Sequence, residues 1–92
     1  MAANLISPVK PVYPETARGA GTEGMVRLQG VIGIDGTLSG LRVLGSNDPD
    51  LAAAALDAVR QWRYRPALLN GSPIEVITEI DVEFRLALGY LP

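Results

Sequence analysis

The 92-residue chain carries 10 acidic and 8 basic side chains, for a net charge of −2, and 48% of its residues are hydrophobic. That describes one globular domain, near the lower size limit for a core without covalent staples. The absence of Cys and His removes disulfides, thiolate metal sites and the commonest general base and metal ligand. No metal, cofactor or catalytic centre is therefore expected, and the acidic balance argues against nucleic acid as a partner, because that affinity comes from neutralising phosphates.

The N-terminal stretch "MAANLISPVKPVYP" is extended, because each proline biases the residue before it away from helix. Pro8 and Pro11 also break it too early for a signal peptide, and nothing reaches the roughly 20 apolar residues of a membrane span. A piece of a longer protein is the expectation. Pro14 suits the first position of a short helix, "PETARGA", which Gly21 ends in a left-handed conformation. Two turns are marginal alone, so Tyr13 and Ala17 are expected to pack on the core.

A strand follows from Gly24 to Ile34, with Val26, Leu28, Ile32 and Ile34 on one face and Met25, Arg27, Gln29 and Val31 on the other. Gly30 and Gly33 point to a bulge or a close neighbour. Asp35-Gly36 reads as a type I′ hairpin turn, and the return strand runs from Thr37 to about Leu44 with imperfect alternation.

The next segment, "SNDPDLAAAALDAVRQW", starts a helix with Asp48 as N-cap, Pro49 at the first position and Asp50 at the positive end of the dipole. Ala52, Ala55, Leu56, Val59 and Trp62 form its apolar stripe. In "RQWRYRP" the arginines suit the helix end, while Trp62, Tyr64 and Pro66 lay the chain back over the core. Arg63 and Arg65 are placed to pair with carboxylates of the last strand. "LNGSP" is a turn. In "IEVITEIDVEFRL", Ile74, Val76, Ile80, Val82, Phe84 and Leu86 alternate with a wet, acidic row that holds Glu79, Asp81 and Glu83.

These elements assemble most simply as an α+β domain: a three-stranded antiparallel sheet of order 2-1-3, with a short and a long helix on one face. The long final strand then lies on an edge. Its charges guard against edge-to-edge association, and its unpaired N–H and C=O groups can accept an extended peptide. The carboxylate row Glu79, Asp81 and Glu83 would serve acid–base chemistry only beside a pocket, with a raised pKa.

The ordered set of motifs from Val12 to Phe84 resembles the C-terminal domain of TonB-family energy transducers. It comprises Tyr13-Pro14 before a short helix, Glu23-Gly24 opening the first strand, the Asp35-Gly36 hairpin, "AVRQWRYRPA" with Trp62, Tyr64 and Pro66, and then "NG" and the final strand. The resemblance implies a periplasmic, non-enzymatic domain attached to the inner membrane in the full-length protein and linked to motor proteins through an N-terminal region. It implies that the domain takes the TonB-box peptide of an outer-membrane transporter as an added strand, driving uptake of siderophore- or vitamin-type nutrients. The receiving residues would be Ile74, Glu75, Val76, Ile77, Thr78, Glu79, Ile80 and Asp81, helped by Val9, Lys10, Pro11 and Val12. The expected division is an extended segment 1–12, the domain 13–86 and a tail 87–92. Strand exchange into a homodimer, or an adaptor role built on the same edge, is the alternative use.

Overall fold

The computed structural model describes residues 1–86, so the tail expected at 87–92 lies outside the described residues. In chain order the elements are β1 (Asn4–Ser7), α1 (Glu15–Ala20), β2 (Gly24–Ile32), β3 (Leu38–Gly45), α2 (Pro49–Val59), β4 (Arg63–Arg65), β5 (Ala67–Leu69), β6 (Ser72–Ile74) and β7 (Val76–Phe84). The main sheet runs β3-β2-β7, antiparallel throughout. This is the expected 2-1-3 order, with the final strand on an edge.

Beneath the sheet, Val26, Leu28 and Ile32 of β2, Ile80, Val82 and Phe84 of β7, and Leu51, Ala55 and Val59 of α2 form one buried cluster, joined by Ala17 of α1. The opposite face of the sheet is open, with Met25, Arg27, Ile77, Glu79, Asp81 and Glu83 exposed. Asp48 caps α2 by accepting from the N–H groups of Asp50 and Leu51, an arrangement worth about 1 kcal/mol. Gly21 ends α1 at φ 70°, as its position suggested, and its N–H returns to the last carbonyls of the helix.

Several local expectations need correction. The helix stops at Val59, so Trp62 is not on its stripe; the buried face is Leu51, Ala55, Ala58 and Val59, with Ala52 and Leu56 half-buried. The turn at Asp35-Gly36 is not type I′. Gly36 alone takes positive φ, and its N–H bonds to Gly33 O, a three-residue loop that leaves Ile34 outside the strand and 61% exposed. The two-residue turn with both centres at positive φ is instead Asn70-Gly71, which joins β5 to β6 in a second hairpin. That hairpin takes Ser72–Ile74, so the run expected to be one strand from Ile74 breaks at Glu75.

The imperfect alternation of β3 has a physical cause. Gln29 pairs with Arg42, but Val31 pairs with Ser39, so β3 carries an extra residue around Gly40, which adopts φ 59°. The bulge lets Leu38, Leu41 and Val43 all turn toward the core. Leu41 lies so close to Gly30 that a Cβ there would sit 2.8 Å from its Cδ2.

Candidate functional site

β7 is paired along its whole length on one side only. Nine consecutive pairs, from Gly24↔Phe84 to Ile32↔Val76, run without a register shift. Among the described residues no strand pairs with its other side. Its inward residues Ile80, Val82 and Phe84 are buried, which fixes the register, because a slip by one residue would expose all three. Phe84 is further held by an edge-to-face contact with Tyr13, 5.4 Å between ring centroids. Tyr13 in turn donates its hydroxyl to the carbonyl of Thr22. The edge is therefore an uninterrupted row of outward N–H and C=O groups above buried inward side chains.

The outward side chains of β7 set the electrostatics. Arg27, directly across from Asp81, reaches it with Nε at 2.9 Å and Nη2 at 3.3 Å. This hydrogen-bonded pairing holds the Asp81 carboxyl below the usual carboxylate range and raises the Arg27 guanidinium. Glu83 is engaged by Arg85 at 2.9 Å. Glu79 has no ion pair among the described residues. The expected pairing of Arg63 and Arg65 with this strand does not occur: Arg63 donates to the carbonyl of Trp62, and β4 pairs with β1.

The other segment singled out in the sequence lies elsewhere. Val9, Lys10 and Val12 border an open groove of about 760 Å³ along α2, together with Ala54, Asp57 and Arg60. Trp62 holds this segment by donating from Nε1 to the carbonyl of Val9 at 2.8 Å. Ile74 and Glu75 also fall outside the straight edge, in β6 and in the break after it, whereas Val76 to Asp81 lie on it.

The structural-motif residues have visible jobs. Tyr64 N–H donates to Gly36 O at 2.9 Å, so the tip of the β2–β3 hairpin rests on β4. A Cβ on Gly36 would lie 2.0 Å from Tyr64 O, which leaves no room for a side chain there. "RQWRYRP" is thus a clamp between the N-terminal segment and the hairpin tip. Sequence reasoning missed the β1–β4 ribbon, which Met1 extends by exchanging hydrogen bonds with Leu68. All four residues of β1 are exposed, so they carry no burial pattern that would have shown it. The β5–β6 hairpin did have a signal, since Asn70-Gly71 is the favoured type I′ pair.

A family model described as Gram-negative bacterial TonB protein C-terminal matches residues 9–86. The chain belongs to this TonB C-terminal family. Among curated relatives, the TonB protein of Vibrio cholerae is 33% identical over 79 residues, 85% of this chain and 32% of that protein. TonB proteins of Xanthomonas campestris pv. campestris and Klebsiella pneumoniae are each 32% identical and cover 83% and 88% of the chain. The chain spans about a third of the length of these relatives. The solution structure of the TonB C-terminal domain of Pseudomonas aeruginosa superposes with a TM-score of 0.77 at 24% identity, covering 92% of this chain and 87% of that one. The chain thus shares the TonB C-terminal fold.

Proposed function

We propose that this TonB C-terminal domain is a non-enzymatic periplasmic coupling module that receives the TonB-box segment of an outer-membrane transporter as a fourth strand on β7. The observation that carries this reading is the unpaired, register-perfect outer edge of β7. The peptide would pair along Val76 to Asp81, with Ile74 and Glu75 at the entry. Val9, Lys10, Pro11 and Val12 offer a second contact through the groove on α2. Each added main-chain hydrogen bond nets about 1 kcal/mol. Several of them with side-chain contacts reach the micromolar range, about −8 kcal/mol.

The proposed binding domain is 13–86, with 1–12 as its leading segment. In the whole protein, sequence N-terminal to the domain would anchor it in the inner membrane and connect it to motor proteins driven by the proton-motive force. A pull along the paired strands would then load the new hydrogen bonds together, for uptake of nutrients of the siderophore or vitamin type.

A proline scan from Ile77 to Glu79 tests the reading. Pro at a position whose N–H points outward should abolish binding of TonB-box peptides from transporters of the same organism while the domain stays folded by circular dichroism. Unchanged affinity across the scan would sink the edge assignment. A concentration-dependent dimer with no peptide affinity would turn the reading to a structural adaptor.

A further inference from the structure

We infer that the strand accepted by β7 is selected by charge: it carries a cationic side chain opposite Glu79 and, two residues away, an apolar one opposite Ile77. This rests on the edge-strand reading above and adds the class of peptide it takes.

The strand that already pairs with β7 shows what its outward row accepts. On the open face of the sheet, β2 sets Val31 opposite Ile77, Gln29 opposite Glu79, Arg27 opposite Asp81 and Met25 opposite Glu83. That row contains a cation, an amide and apolar residues, and no acid. Directly opposed side chains in an antiparallel pair lie about 5 Å apart at Cβ, and like charges at that distance destabilise the pair. A strand added on the other side of β7 meets the same outward row. There the demands on β7's carboxylates are unequal: Arg27 occupies Asp81 and Arg85 occupies Glu83, while Glu79 is unpaired among the described residues. Ile77, beside it on the same face, is 72% exposed and is the most exposed large apolar side chain of the sheet. The free valences of the edge are therefore one anion and one apolar surface, two residues apart.

The same row disfavours a second copy of the domain at this edge. In antiparallel self-pairing centred on Ile80, Glu79 of one copy meets Asp81 of the other, and the pair is repelled. In that register the edge disfavours a copy of itself, although Arg27 offsets part of the Asp81 charge, and it favours a basic strand.

The test uses acetylated, amidated heptapeptides titrated into the ¹⁵N-labelled domain. TVKVIVT and its reverse, TVIVKVT, place Lys and Ile for antiparallel and parallel addition, and in each a Lys→Glu version serves as the counterpart. The expected result is that shifts concentrate on Val76 to Glu83, and that one Lys peptide binds roughly 3- to 10-fold tighter than its Glu counterpart. The preference should shrink at 0.5 M salt, where charges are screened beyond about 4 Å. Glu79→Gln should flatten it and Glu79→Lys should reverse it; Glu79 is exposed, so neither change threatens the fold. Shifts on β7 with equal affinity for the Lys and Glu peptides would overturn the charge selection and leave the edge reading standing. No shifts on β7 with any peptide would overturn both.

Discussion

The main sheet has two edges, and they are built differently. β3 pairs with β2 through two register shifts, at Leu44 and around Gly40, and carries glycines at 40 and 45. β7 pairs with β2 through nine residues without one. Bulges twist an edge and interrupt its row of outward N–H and C=O groups, which is how proteins blunt an edge against unwanted pairing. β7 lacks that device and is guarded only by charge on its open face. One edge is interrupted by geometry; the other is regular and carries an acidic row on its open face. Both edges are exposed, and regularity is what distinguishes β7, the edge to which the proposed function assigns the added strand.

The largest expected effect comes from the strand both edges share. Leu28 is fully buried at the centre of β2, and Leu28→Ala should cost about 3–5 kcal/mol. Thermal melting would read this, with peptide binding lost only in step with the folded fraction. Next is the clamp. Trp62 is half-buried and bonds the Val9 carbonyl, so Trp62→Ala should cost about 2–4 kcal/mol, while Trp62→Phe should lose only about 1 kcal/mol for the hydrogen bond. If melting is unchanged while peptide affinity falls, Trp62 is a contact residue and not a clamp.

Deleting Gly40 should break the asymmetry itself. Without it, Leu38, Ser39, Leu41, Arg42 and Val43 alternate regularly, and β3 keeps only the shift at Leu44, leaving a regular edge from Leu38 to Val43. Concentration-dependent association in sedimentation is the expected gain, and a strictly monomeric, folded deletion variant would contradict the role given to the bulge.

The smallest effect is in pH. Hydrogen bonds from Arg27 lower the Asp81 carboxyl, and those from the Thr37 hydroxyl and N–H lower that of Asp35. Both groups release their protons more readily folded than unfolded. Their contribution is therefore present above the ordinary value of about 3.9 and fades as pH falls through the lowered folded values. Melting temperature measured from pH 5 to pH 2 should drop, with part of the slope removed by Asp81→Asn or Asp35→Asn.

The sheet order, the capped helix and the position of the final strand were legible because each rests on a pattern that burial imposes over many residues. Val26, Leu28 and Ile32 repeat at period two, and Asp48-Pro49 marks a helix start. What was not legible rests on pairing without burial. The three-residue strands at Arg63 and Ser72 are too short to show a period, and β1 is exposed throughout. The end of α2 was read too late because Trp62 sits at helical spacing from Val59, yet its indole is drawn away to the Val9 carbonyl. The Asp35-Gly36 turn was misread in type for a related reason: Asp-Gly suits type I′, and only the length of the loop that the strands leave decides. Of the candidate site, the edge was visible in the alternation. The separation of Val9–Val12 onto α2, and the pairing of Asp81 with Arg27, depend on which strands meet in space.

Amide hydrogen exchange across both edges distinguishes a receiving β7 from an interrupted β3. In the free domain, every second amide of β7, the set pointing outward, should exchange quickly while its neighbours bonded to β2 are protected. Saturating with a peptide that binds should protect those fast β7 amides and leave β3 unchanged. Protection appearing on β3 or along α2, with the outward amides of β7 still fast, would mean that β7 is not the receiving edge.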